Sequence, residues 1–329
     1  WIMTDALKDV VRGGTTTRSV PGQEMGGKIP RARRERRMNE RKRICVLGNC
    51  VAYRLQMMLA AHAELTERYA LVYMPTVYEI ARLPDRDTEL ERLARRALSC
   101  DIILSQPLFS FGPCNTRQLR DRLSPGQKLL TFSAPDFGGY FPDVCWLSGK
   151  TRLRFAPVQD WDSRIIFACY VRGVSIFEVE RIYLSHPMFG PRAMLENVEA
   201  SLERYAKREQ GVDIPTGDYV ARHYTARRLF HSGMHPADEV LALLRNRTLE
   251  ALDLPPLPAE TPLEVESFGF NRWPVIPRAH RLFRFPGQEY FLLANVRHSI
   301  EDVAMAYYSF YEFHPHVAEA NRHHAEGVL

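Results

Sequence analysis

The stretch RICVLGNCVAYRL, residues 43–55, constrains the fold more than any other part of the chain. Arg43 to Leu47 is the short apolar run of a buried strand, and Val51, Leu55, Met58 and Leu59 then recur near the helical period. Gly48-Asn49-Cys50 must therefore be a tight turn from strand into helix. A glycine there permits a close backbone approach that a side chain would block. The turn also sets the Cys50 thiol beside the first free N–H groups of a helix, a position that favours an anion and hence the thiolate.

Two further segments, DIILSQ (101–106) and KLLTFS (128–133), repeat the pattern of an apolar run ending in a polar residue. Each follows a charged stretch of helical character, Glu89 to Leu98 and Thr116 to Leu123. Alternation of helix and buried strand predicts an α/β fold with a parallel-sheet core. Ligands of such sheets collect at the carboxyl ends of the strands, so Cys50, Gln106 and the Ser133-Ala134-Pro135 turn should gather on one edge. Between about residues 163 and 225 three helices are expected in succession, Ser175–Leu184, Pro191–Arg208 and Gly217–Tyr224, which reads as a helical insertion. A strand at Arg227–Phe230 and a helix at Ala237–Leu252 follow, with Pro236 in the first turn of that helix and His235 at its amino end. Residues 253–290 are proline-rich and irregular. Ser299, with Asp302 three residues on, caps a last helix reaching Tyr311.

The formal net charge of +5 is unevenly spread. Residues 1–43 hold twelve Lys/Arg against five Asp/Glu, which leaves the remainder at −2 and removes the case for a nucleic-acid-binding domain. The leading segment, 1–42, is expected to be a disordered basic arm or upstream extension. Because the chain opens on Trp1-Ile2, Met38 is the expected natural start. Residues 43–312 read as a single domain and 313–329 as a polar tail with solvated histidines. No run of eighteen apolar residues predicts a membrane span, although the arm leaves peripheral membrane contact open. The absence of a secretory signal points to the cytoplasm. The six cysteines form no C-x-x-C pair, which argues against a disulfide framework or a zinc site.

Cys50 is thus the candidate nucleophile and His235 the candidate base, since a Cys/His pair needs two side chains supplied by separate strand ends. The G-N-C turn resembles the G-D-S turn of SGNH-type esterases. In those enzymes an Asp precedes the histidine by three residues; here that position is Ser232, and Asp238 or a main-chain carbonyl would have to orient the imidazole. Asn49 and Gln106 carry amides able to donate to a developing oxyanion, or to cap a strand end. His186 is a second His-Pro pair, placed among the inserted helices.

In order and spacing the chain resembles the WcbI-type polysaccharide-biosynthesis acetyltransferases over residues 43–312. The resemblance is carried by ICVLGNCVAYRLQMML, ILSQPLF, LRDRLSPGQKLLTFSAPDFGGYFPD, the ASLERYAKRE and DYVARHY helices, RLFHSGMHPADEVLALL and AMAYYSFYEF. By position, Gly48, Asn49 and Cys50 match the family's G-N-C turn, and His235 its N-H-P histidine, with Met234 where an Asn is usual. Gln106-Pro107, Gly139-Tyr140 and Pro142-Asp143 match further motifs. The resemblance implies a coenzyme A-binding O-acetyltransferase that acts on a sugar hydroxyl in capsular or related polysaccharide. Arg54, Arg117, Arg120 and Lys128 could meet the coenzyme's phosphates by charge-assisted bonds, or form a solvated face. Two mechanisms stay open, direct transfer with His235 as base and an acyl-enzyme on Cys50. So do two other classes, a Cys/His esterase or deacetylase and a non-catalytic coenzyme A- or glycan-binding protein.

Overall fold

The computed structural model describes residues 41–149, 161–258, 260–280 and 282–329. The arm expected over 1–42 lies outside them apart from Arg41 and Lys42, the latter already the first residue of the first strand. The chain runs β1 (Lys42–Leu47), α1 (Cys50–Ala60), α2 (Ala63–Arg68), β2 (Tyr69–Val72), α3 (Val77–Ala81), α4 (Arg86–Leu98), β3 (Ile102–Ser105), α5 (Thr116–Asp121) and β4 (Lys128–Thr131). These four strands form one parallel sheet in the order β2-β1-β3-β4.

Both faces of this sheet are covered, which is why its central strands read as unbroken apolar runs. Ile44 and Val46 pack on one face with Val51, Leu55, Met58 and Leu59 of α1. Cys45 and Leu47 pack on the other with Leu90, Leu93 and Ala97 of α4 and Leu119 of α5. The outer edge of β4 is closed by the Asp213–Ile214 segment: Asp213 accepts from the Thr131 N–H and hydroxyl, and Phe132 bridges Ile214. An edge closed in this way cannot pair with another chain.

Strand β2 is not evident from the sequence. It follows the six-residue α2 with no Gly or Pro between them, and YALV fits either period.

Beyond the sheet, the two-residue strands β5 (Val144–Cys145) and β6 (Asp162–Ser163) pair, and four helices follow: α6 (Arg164–Val171), α7 (Ile176–Ser185), α8 (Pro191–Arg208) and α9 (Gly217–His223). The hairpin β7 (Phe230–Ser232) and β8 (His235–Pro236) leads to α10 (Asp238–Ala251), and the hairpin β9 (Phe291–Leu293) and β10 (Val296–His298) to α11 (Ile300–Phe313). Helix α11 packs with α6–α8 in an aromatic core around Phe167, Tyr183, Phe291 and Tyr311. The capping box on α11 forms as its sequence predicts, with Ser299 and Asp302 each accepting from the other's N–H.

Two expectations are corrected. His235 and Pro236 belong to a hairpin rather than to the start of a helix. Phe230 pairs with Pro236 and Ser232 with His235, and Ala237 N donates to Leu229 O before α10 begins at Asp238. Proline fits a strand position that calls for no donor as readily as it fits a helix start. The polar tail is also part of the core: α12 (Pro315–Ala320) buries Val317, and Asn321, 1% exposed, exchanges hydrogen bonds with Ser148. His314 and His324 are accordingly half-buried, and burial lowers the His324 pKa, whereas His316 and His323 are exposed as expected.

Candidate active site

Strand order 2-1-3-4 reverses direction between β1 and β3, so the loops leaving these two neighbours part company and open a crevice at their carboxyl ends. Cys50 follows β1 and Gln106 follows β3, and the two segments are locked together. Gln106 N donates to Leu47 O, and the Gln106 side-chain Oε1 accepts from Asn49 N at 2.8 Å. The carboxamide lies directly over Gly48, where a Cβ would come within 2.4 Å of Oε1. Here a glycine is required by close approach. Because Oε1 is committed, the orientation of the Gln106 Nε2 group is fixed. That Nε2 is buried and has no hydrogen-bond partner among the described residues.

Asn49 is the cap of α1, its Oδ1 accepting from Val51 N at 2.9 Å. Cys50 is the first residue of the helix. It is half-buried, whereas the other five cysteines are buried.

Residues from the second half of the chain pack beside α1. The His235 imidazole stacks on the Phe268 ring at 4.7 Å with an interplanar angle of 4°. The Arg54 guanidinium, one turn along α1 from Cys50, lies 5.1 Å from the centre of the same ring. Arg54 is 5% exposed and pairs with Glu266 at 3.6 Å. Burial lowers its pKa, opposed by the negative fields of Glu266, Tyr53 and Cys50. The helix bearing Cys50 and the hairpin bearing His235 thus share Phe268 as a common neighbour. Behind them His231 is held neutral, its pKa pushed down to about 3 by burial and by Arg228, Arg272 and His235.

Phe268 and Glu266 escape the sequence reading because they lie in the proline-rich stretch, where no periodicity marks a position. The aromatic-glycine run Phe268-Gly269-Phe270 is the local feature that could have drawn notice.

Other expected residues fall elsewhere. Lys128 opens β4 level with Ile102. That is three residues, or about 10 Å at strand rise, below the Ser105–Thr131 level and at the wrong end of the sheet. Arg117 is exposed in the first turn of α5 and Arg120 exposed in its last. The Gly139-Tyr140 and Pro142-Asp143 motifs build the helical half. The Tyr140 hydroxyl donates to Tyr224 O and Arg227 O, and Asp143 accepts from the Tyr183 hydroxyl. His186 is structural as well, with Nδ1 accepting from Met188 N and Nε2 2.7 Å from Val328 O. No group of metal-ligating side chains occurs among the described residues, and no described helix is long and apolar enough to cross a membrane.

A family model described as the polysaccharide biosynthesis enzyme WcbI matches residues 43–257. A solved structure of WcbI, described as a novel polysaccharide biosynthesis enzyme in a native form without a disulfide bond between coenzyme A and one of its cysteines, superposes with a TM-score of 0.70. The identity is 18%, over 88% of this chain and 98% of the other, a likeness that establishes the fold. A search of curated proteins returned no match.

Proposed function

Because the chain belongs to the WcbI family of polysaccharide biosynthesis enzymes, we propose that it is an O-acetyltransferase that moves an acetyl group from acetyl-coenzyme A to a sugar hydroxyl. The observation that carries this reading is the fixed, unpartnered amide of Gln106 at the switch point, beside the helix-capping turn of Cys50. A rigid donor of this kind stabilises the oxygen of a thioester as negative charge develops on it, and such donors contribute about 10²–10³-fold to rate. His235 removes the proton from the acceptor hydroxyl as its oxygen attacks the carbonyl carbon, and returns it to the departing thiolate. The Phe268 stack holds the imidazole ring in one plane for both transfers.

Cys50 lines the crevice where the thioester sulfur sits. It is the one cysteine of six that is not buried, and the WcbI structure is described with reference to a coenzyme A disulfide. Arg54, one turn along α1 from Cys50, supplies positive charge toward the phosphates. Lys128 has no part in this arrangement. No cysteine is held in a disulfide among the described residues, which fits a reducing compartment, and we place the reaction in the cytoplasm, with capsular or related polysaccharide as its end product.

The test is binding followed by transfer. Coenzyme A at a hundred times its Kd should stabilise the protein by about 2.7 kcal/mol, seen as a rise in Tm, whereas simple acyl esters should not. Absence of any shift at millimolar coenzyme A would remove the transferase reading and leave an esterase. His235→Ala should lower kcat for acetyl transfer by about 10²–10⁴. Coenzyme A disulfide should add one coenzyme A to the wild type by thiol exchange, releasing the other as thiolate, and none to Cys50→Ser; intact mass reads both.

A further inference from the structure

Five aromatic side chains stand on the segments that leave the carboxyl ends of β1, β2 and β3. Tyr53 lies on α1 about one turn beyond Cys50, Tyr73 follows β2, Tyr78 is in the first turn of α3, and Phe109 and Phe111 follow β3. They meet in pairs, Tyr53 with Tyr73 edge to face at 6.4 Å and Tyr78 with Phe111 at 5.3 Å. Yet Tyr73 and Tyr78 are each 45% exposed and Phe109 is 79% exposed. Scattered exposed rings are ordinary. A group of them on the one edge where the candidate site lies marks a ligand surface.

The rim is continuous with the crevice. Val77, next to Tyr78, donates its N–H to Gly48 O at 3.0 Å, and the Tyr78 hydroxyl, its pKa raised by burial, feels the negative fields of Cys50 and Asp136 and the positive field of Arg208. Asp136 and Arg208 form an ion pair. Around Tyr73 the field of Glu79 opposes that of Arg96. Asp136 and Arg208 are thus paired with each other, and what this rim offers a ligand is its half-exposed rings rather than a surplus of charge.

An occupant that suits half-exposed rings, phenolic hydroxyls and a balanced ion pair is uncharged, rich in hydroxyls and apolar on one face. A pyranose ring has those properties: its C–H face stacks on an aromatic ring, while adjacent hydroxyls donate to Asp136 and accept from Arg208. We propose that Tyr73, Tyr78, Phe109 and Phe111 form the acceptor-glycan subsite, which holds a sugar ring against the rim so that its hydroxyl faces the crevice of Cys50. This assignment rests on the acetyl-transfer reading.

The experiment titrates wild type and a Tyr78→Ala/Phe109→Ala double variant by calorimetry. One titrant is coenzyme A; the other is oligosaccharides from base-deacetylated surface polysaccharide of the cells that encode the chain. Both residues are exposed, so the fold should tolerate their loss, and circular dichroism checks it. The expected result is at least a tenfold weaker affinity of the variant for the oligosaccharides, with coenzyme A affinity unchanged. The subsite assignment is overturned if the variant binds oligosaccharides as wild type does, if it loses coenzyme A affinity instead, or if wild type binds coenzyme A but no oligosaccharide. Rim-dependent oligosaccharide binding without coenzyme A binding would uphold the subsite and remove the transferase reading.

Discussion

Gly48 shows how one missing side chain sets a site. Its Cα lies under the Gln106 carboxamide, and a methyl there would meet both Gln106 Oε1 at 2.4 Å and the Ala52 Cβ at 2.8 Å. Gly48→Ala should displace the amide from Asn49 N. The expected stability cost is about 1–3 kcal/mol from overpacking, and the loss of acetyl transfer about 10²-fold. A variant of wild-type kcat would show that the Gln106 amide does not act on the reacting oxygen. Asp143 is the opposite case, a charge held inside. Burial pushes its pKa up from 3.8 to about 6 despite the Tyr183 hydroxyl that donates to it. The folded state therefore binds more protons than the unfolded chain between about pH 4 and pH 6. Its contribution to stability is complete below pH 4 and is lost as the pH rises through 6. Asp143→Asn keeps an oxygen for Tyr183 and removes the charge. It should be more stable than wild type at pH 8, by up to about 3 kcal/mol, with the difference closing by pH 4; urea midpoints at the two pH values measure this.

Among the elements, those whose sequence contains its own stop and start signals form where those signals lie. Helix α8 spans Pro191–Arg208 as its periodicity predicts, with proline at the first position, and α11 starts at its capping box. Ser299→Ala should cost about 1 kcal/mol, read as a lower Tm, while coenzyme A affinity is retained. The β7–β8 hairpin carries His235 and is where local reading fails. Its two short strands are held by pairing across a Gly233-Met234 turn and by the Trp273 N bond to His231 O. Neither feature leaves a periodic trace in the sequence. Strand β2 fails for a related reason, because a four-residue apolar run is defined by its neighbours β1 and α2 rather than by itself.

At the scale of the whole molecule, the terminal segment closes the aromatic core. Removal of residues 314–329 would expose the surface now covered by Val317 and Ala325 and leave Ser148 without Asn321. From the apolar area alone this should cost at least about 2 kcal/mol, and a truncated chain with an unchanged Tm would contradict the packing described. The sequence by itself determined the strand-turn-helix at Cys50, the parallel character of the sheet and the edge on which Cys50 and Gln106 meet. Apolar runs, a glycine at a turn and the rule for carboxyl ends are local or topological facts. Only the tertiary structure decided that Phe268 joins Arg54 to His235, that Lys128 stands at the far end of the sheet, and that Glu266 pairs with Arg54. Those relations depend on which distant surfaces bury one another, a choice made by packing over the whole chain that no short window of residues records.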